Sequence, residues 1–519
     1  MIAKLPELPD LPDLNFNNLF VQTVLAVVVG TLLGLVALAT SPKLAIVVVL
    51  SLVGAVIFSK YPEYAFLAMI VTVATVYDHT NTPLIPLVAG MDLQVIDVVW
   101  LFMLGKMILD LLIRRDRKYI HTPLDIPMLI FLIVGAISTM FAVTAGTIDF
   151  SDEANAELRL LAYFAFFFAI TNLINRPVIV DRAIRGFHFL AALVGLLMLI
   201  QFVMGPENKI IPGRVEELRT ATEVTEDVSR ILTPGQSIIL VSFISLTTFL
   251  LLDGFKPRHW LIMVGILLTG AGVIITFNRN FWAVVLLAFA VTFIMGDWRA
   301  KDRIVKTAIV GVPAFFIAAI IILSSSDPSA EPSLIHATLS RFTTLFSSDT
   351  TQESSLQFRF IENEYAAPYI LPPSPFGEGL GFKYRPWDLR LDWFKEDGSV
   401  GSDLRDYIHN GHFWILIKMG FLGYGAFMWF SLLMIYRGLK YWRRVPGTQR
   451  QSILLSFSIT YLGMLVATIV NPTFFQVFWI VVYVFMAAIS ETIIRWGTTD
   501  ESNTQTRKAG LLGSAPSSP

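Results

Sequence analysis

The chain has 519 residues, 55% of them hydrophobic and only 15% charged, with a mean hydropathy of +0.64 and a formal net charge of −1. A soluble domain runs about 45–50% apolar and about 25% charged, so this composition excludes an ordinary soluble protein and indicates a polytopic membrane protein. The near-zero net charge supplies no global field for nucleic acid, and a chain with no Cys cannot form disulfides, thiol nucleophiles, iron–sulfur clusters or Cys-ligated zinc.

Residues 1–19 carry a Leu-Pro-Asp repeat rather than a basic signal-peptide start, so the first apolar run is expected to act as an uncleaved signal. Apolar runs then fall at 20–40, 44–59, 64–77, 93–113, 125–146, 158–175, 186–205, 235–253, 260–277, 281–296, 305–324, 411–436, 452–470 and 475–494. Two of them are short enough to be tilted or re-entrant, which predicts an all-α protein of 12–14 transmembrane helices. Basic residues recur in every second short loop: Arg114, Arg115, Arg117 and Lys118; Arg182 and Arg185; Lys256 and Arg258; Arg299, Lys301 and Arg303; Arg437 to Arg450. These loops, and with them both termini, are expected on the cytoplasmic side.

The opposite side then owns the loops 206–234 and 325–408, too long to be plain connections. The sequence thus divides into five segments: a cytoplasmic N-terminal segment 1–19, a transmembrane bundle 20–324, a long folded outer loop 325–408, C-terminal transmembrane helices 409–496, and a polar, disordered cytoplasmic tail 497–519. There is no long internal repeat, so an inverted-repeat transporter has no support.

Arginines on the outer side run against the positive-inside bias, and guanidinium forks bind phosphate oxygens in pairs. They are Arg159, then Arg214, Arg219 and Arg230, then Arg279 in the tight turn ITFNRNFW, and Arg341, Arg359, Arg385, Arg390 and Arg405 in the long loop. Converging, they would suit a polyanionic ligand; Arg279 alone could equally snorkel to the headgroups. His409, Asn410 and His412 stand where the long loop enters a membrane helix. A neutral imidazole there suits a general base; a plain helix cap or interfacial residue is the alternative, as is a zinc pair completed by Asp403 or Asp406. Lys418, two turns deeper, would snorkel or support a phosphate site, and Lys106 with Asp110 forms an i, i+4 pair. Gly377, Gly379 and Gly381 read as a turn in the outer loop, since no strand–helix unit surrounds them.

His409-Asn410, nine residues, then Gly420-Phe421-Leu422-Gly423-Tyr424-Gly425 resembles the H[NSQ]-x9-GxxG signature of the bacterial O-antigen ligase family. The stretches ITFNRNFWAVVLL, RILTPGQSIILV and LQFRF…PPSPFGEGLGF are similar to other landmarks of that family and its polymerase relatives, kept in order over about residues 150–480. Asn278 stands where the family commonly has Ser, and the interval from Arg279 to His409 is longer than usual, departures that bear on the acceptor more than on the chemistry.

The resemblance implies a GT-C-like inner-membrane glycosyltransferase with a long periplasmic loop before the His motif. It would take a glycan from undecaprenyl diphosphate and pass it to lipid A–core, without cofactor or metal. Position by position, His409 would be the base and Arg279, with Arg230, Arg214 and Arg359, would bind the diphosphate; Asn410, His412 and Arg159 would support them. Membrane lipids are the other expected partners, and nucleic acid is not one. A polymerase of O-antigen or exopolysaccharide repeats, a protein O-oligosaccharyltransferase and an anion transporter are the competing readings.

Overall fold

The computed structural model describes residues 54–76, 85–86, 92–114, 117–149, 152–211, 213–219, 224–309, 354–372, 374–391 and 403–512. The expected segment 1–19, the span 20–40, most of the spans 44–59 and 305–324, and residues 325–353 of the long loop lie outside them. The chain divides into two units between Pro62 and Glu63, and the second carries the helical bundle.

Its helices are α1 (Pro62–Val73), α2 (Val95–Ile113), α3 (Asp125–Thr144), α4 (Asp152–Tyr163), α5 (Phe166–Leu173), α6 (Pro177–Met204), α7 (Gln236–Asp253), α8 (Trp260–Ile275), α9 (Arg279–Met295), α10 (Ser354–Ile370), α11 (Gly411–Tyr441), α12 (Thr448–Ala467) and α13 (Val477–Leu512). Among the described residues the strands form two antiparallel ribbons, β1 (Ile85–Pro86) with β2 (Asp92–Leu93), and β3 (Arg214–Arg219) with β4 (Val224–Leu232) inside the 206–234 loop.

Among the described residues eight helical stretches are long and apolar enough to cross a membrane: α3, α4 with α5, α6, α7, α8 with its preceding turn, α11, α12, and α13 to Gly497. The chain is thus a largely helical, multi-pass protein. The helix bounds reflect local chemistry. Pro177 opens α6, where its missing N–H costs nothing, and Gly205 and Gly254, at φ 75° and 91°, close α6 and α7. The α2 stretch carries Asp97, Lys106 and Asp110, all of them paired: Tyr163 donates to Asp97 at 2.6 Å, and Lys106 and Arg117 each reach Asp110 at 2.8 Å. α13 continues to Leu512, past residue 497, where the sequence alone placed the start of the tail.

Burial sets the layers. α13 is 94% buried in its most apolar stretch and α8 only 28%, so among the described helices α13 is central and α8 peripheral. Phe66 of α1 and Phe187 of α6 stack on Phe485 of α13 at 4.2 and 5.2 Å.

Ion pairs and hydrogen bonds gather the helix ends into two groups. At the basic end, Arg437 grips Glu491 at 2.6 Å, Arg443 reaches the Met295 carbonyl, and Arg303 donates to the Leu251 and Leu252 carbonyls at 2.7 and 2.8 Å. At the other end, the Gly411 amide donates to the Thr468 carbonyl at 2.8 Å, Arg230 to the Thr276 carbonyl at 3.2 Å, and the Leu380 amide to the Thr139 hydroxyl at 3.3 Å.

α11 breaks at Gly420, whose φ of 63° and ψ of −168° belong to a region that side chains exclude. Backbone groups freed within a bundle need partners, and the segment 374–381 supplies them. The Glu378 and Gly379 amides donate to the Ile417 and Lys418 carbonyls at 2.8 and 3.0 Å, and the Phe421 and Leu422 amides donate back to Ser374 and Pro375 at 3.0 and 3.2 Å. Gly377, Gly379 and Gly381 all have positive φ, and a Cβ on them would meet the α11 backbone, Ala142 and Ala154 at 2.5–2.7 Å. The expected turn is therefore a plug fitted between α3, α4 and the break.

Gly420→Ala should lose most folded protein. Its backbone strain alone costs about 1–3 kcal/mol, and the new Cβ would collide with the Ser374 carbonyl. Gly425 of the same signature has open space around its Cβ and no positive φ, so Gly425→Ala should leave stability unchanged or slightly raised. Monodisperse yield and thermal stability in detergent compare the two. Equal losses would refute this account of the break.

Candidate functional site

α10, formed inside the long 325–408 loop, presents Glu362, a residue that no sequence motif singles out. Its carboxylate is buried and takes two hydrogen bonds from one residue: the His409 amide donates at 3.0 Å, and His409 Nδ1 lies 2.9 and 3.0 Å from its two oxygens. A carboxylate only accepts, so Nδ1 carries a proton; in the neutral imidazole Nε2 is then the nitrogen that bears the lone pair. His409 Nε2 has no partner among the described residues, and the side chain is 35% exposed while Glu362 is 7% exposed. The imidazole is thus held on one side and open on the other.

The Tyr407 ring meets the imidazole edge-on at 5.1 Å. Burial, then the Glu362 charge, push the Tyr407 hydroxyl above its ordinary range, so it stays protonated. Arg359, one turn before Glu362, acts on the same hydroxyl in the opposite direction. The structure therefore brings Arg359 to the His409 neighbourhood.

Asn410 and His412 have structural work. Asn410 caps α11, its side-chain oxygen accepting from the His412 and Phe413 amides at 3.1 and 3.3 Å. His412 Nε2 donates to the Leu465 carbonyl at 3.1 Å, tying α11 to α12. Asp403 is occupied as well: the Arg405 guanidinium and then Lys383 hold it below the usual carboxylate range. One nitrogen of each histidine and the Asp403 carboxylate thus have other partners, and among the described residues no group of three or more His, Cys, Asp or Glu could hold a metal.

Arg279 is the first residue of α9 and is half-buried. The α8–α9 turn has no slack: buried Phe277 takes a left-handed φ of 47°, and the Asn278 side chain caps α9 by accepting from the Asn280 amide at 3.1 Å. Arg230, on β4, donates to the Thr276 carbonyl and so lies at the same turn. Arg214 faces Leu232 across the ribbon through its backbone; its side chain lies outside the described residues.

The starts of α9 and α11 share one support. Phe281 packs on Trp479 with ring centroids 5.7 Å apart, and Trp414 stacks on Phe475 at 3.9 Å, Phe475 and Trp479 being four residues apart where α13 begins. Arg279 and His409 therefore border the same end of the bundle.

Arg159 is placed elsewhere, 3.7 Å from Asp97 in the network that joins α4 to α2. Lys418 does not snorkel: it is 1% exposed and paired with Glu157 of α4. Arg390 pairs with Asp388, Arg405 with Asp403, and Arg385 donates to the Leu404 carbonyl at 3.2 Å, so these three knit the 325–408 loop; Arg341 lies outside the described residues.

Glu362 and Glu157, both missed in the sequence, each meet a partner 47 or 261 positions away, and no spacing rule reaches that far. The usable signal for Glu362 was its place one turn after Arg359 in an otherwise outer, mixed-charge segment. The chain matches no protein-family model and no curated protein.

Proposed function

We propose that the chain is a metal-independent, inverting glycosyltransferase of GT-C-like build in the bacterial inner membrane, moving a glycan from undecaprenyl diphosphate to lipid A–core on the periplasmic face. The observation that carries the reading is the Glu362–His409 pair, which holds an imidazole through Nδ1 and leaves Nε2 on its exposed side. Support comes from Arg279, Arg230 and Arg359 at the same end, and from the ordered resemblance to O-antigen ligases.

In the reaction, the acceptor hydroxyl gives its proton to His409 Nε2 and its oxygen forms the new bond to the anomeric carbon. The carbon–oxygen bond to the diphosphate breaks on the opposite face, inverting the centre, and the guanidinium groups take up the charge left on undecaprenyl diphosphate. Glu362 stabilises the imidazolium formed in between.

The test is transfer by the purified protein with undecaprenyl-diphosphate-linked glycan, lipid A–core acceptor and EDTA. Polymer on the core supports ligation. A longer lipid-linked polymer reassigns the acceptor to the growing chain, and glycan on a protein makes it an oligosaccharyltransferase. Gradient-dependent flux in liposomes without any product would overturn the enzyme altogether.

Orientation is tested separately in the Cys-free chain. Leu389, 83% exposed at the proposed periplasmic end, and exposed Gln449 at the basic end are each replaced by Cys. An impermeant maleimide on spheroplasts should label Leu389→Cys and spare Gln449→Cys; the reverse pattern would invert the topology.

A further inference from the structure

At the basic end, far along the bundle from His409, a cavity of about 300 Å³ opens between the C-terminal turn of α2, the end of α5 and the start of α6. Asp110, Arg117, Lys118, Asn172, Asn175 and Arg176 line it. Asp110 is already more than balanced, with Lys106 and Arg117 at 2.8 Å and Arg114 at 3.6 Å. Lys118 and Arg176 make no ion pair among the described residues. Among the described residues five cations (Lys106, Arg114, Arg117, Lys118 and Arg176) thus gather about the Asp110 carboxylate in a protein whose net charge is −1, and the positive end of the α6 dipole starts at Arg176. That surplus calls for an anion, and a guanidinium beside an ammonium suits a phosphate.

The cavity's flank says which phosphate. On the same last turns of α2, Ile108, Leu109, Leu112 and Ile113 are 50%, 55%, 76% and 69% exposed, and Val178, two residues after Arg176, is 58% exposed. A polar, cationic recess bordered by bare aliphatic side chains at the end of a membrane-length helix is amphipathic in the way a phospholipid is. A free phosphate would use the recess and gain nothing from the flank.

We propose that this cavity binds the phosphate of an anionic glycerophospholipid, with its acyl chains along the exposed apolar flank of α2. The lipid would pin the 117–123 strap, whose Ile120 amide donates to Asn172 at 2.8 Å, against the ends of α5 and α6. This goes beyond the transfer reaction and requires none of its residues.

The test uses the full chain reconstituted in phosphatidylcholine bilayers doped with phosphatidylglycerol, then extracted, with bound lipid counted by native mass spectrometry. Phosphatidylglycerol should stay bound in preference to phosphatidylcholine. Each basic contact is worth roughly fivefold, so Arg117→Gln/Lys118→Gln/Arg176→Gln should lower retention by about a hundredfold. Because that variant removes the Arg117–Asp110 pair, Lys118→Gln/Arg176→Gln, which touches no internal pair, is measured beside it and should lose about twenty-fivefold. Arg185→Gln/Arg299→Gln, exposed cations at the same end but outside the cavity, should change nothing. Equal losses from that control would overturn the site in favour of diffuse surface charge. Displacement of the lipid by millimolar inorganic phosphate would overturn the lipid in favour of a soluble anion. Lipid retention is read without any transfer assay, so its failure and that of the proposed reaction are distinguishable.

Discussion

His409→Ala should lower the transfer rate by about 10²–10⁴-fold, the usual worth of a positioned base, while affinity for the undecaprenyl-diphosphate donor is unchanged. A base acts only as the proton moves, so its removal leaves ground-state binding alone. Arg279→Lys should weaken both donor binding and rate, because Lys keeps the charge and loses the paired geometry that a diphosphate oxygen pair requires. Glu362→Gln should fall between wild type and His409→Ala. It retains an acceptor for Nδ1 but removes the charge that stabilises the imidazolium, and its amide can turn to present a donor that forces the wrong tautomer. His412 is the control, since its Nε2 is spent on the Leu465 carbonyl. His412→Ala should keep most of the activity. Single-turnover rates and donor affinities on the purified variants, with EDTA throughout, decide the matter. If EDTA stopped the wild-type reaction, or if His412→Ala were as inactive as His409→Ala, a metal-bound histidine pair would replace the base and the arginine clamp.

How much of this could be read from the sequence depended on range. Helices are set by runs of apolar residues and by local punctuation, so the spans at 125–146, 411–436 and 452–470 reappear as the membrane-length helices α3, α11 and α12, and the run at 93–113 returns as the helix α2. The run at 158–175 reappears as two helices, because the chain turns at Phe164–Ala165. The resemblance drew attention to Asn278 as a departure from the family's Ser and to Asn410 as a motif position, and in the structure both cap helices. What stayed hidden were meetings across the fold. Nothing in the GxGxG spacing of residues 377–381 says that the loop fills a break in α11, and nothing in the signature glycine Gly420 says that it is the break. Glu362 was invisible for the same reason, being one acid among several on an outer segment until α10 carries it to His409. Arg159 and Lys418 illustrate the opposite error. Each is a cation near the membrane edge, and each is consumed by a carboxylate that the sequence places far away or on another helix.

Lys418→Met should destabilise the protein by about 3–5 kcal/mol, since it strands the Glu157 carboxylate in a dry interior. The two side chains are 1% and 8% exposed. Glu157 has a second duty, accepting from the Gly381 amide at 2.5 Å, while Ser138 donates to the Lys418 carbonyl at 2.6 Å. The pair therefore sits where α3, α4, α11 and the glycine plug converge, and Lys418 also rests 5.2 Å over the Trp414 ring. Met fills the volume of the Lys stem, so the loss measures charge and not cavity. Adding Glu157→Gln should restore most of it: Gln is uncharged yet still accepts from Gly381, so no buried ion remains and the plug keeps its anchor. Glu157→Met in place of Gln should recover less, because the Gly381 amide then goes unsatisfied, at about 1–3 kcal/mol. Denaturant titration of the single and double variants in one detergent gives the coupling directly. A double variant no more stable than Lys418→Met would mean that the pair's charges do not oppose each other in the folded protein, and that the plug is held by its backbone hydrogen bonds alone.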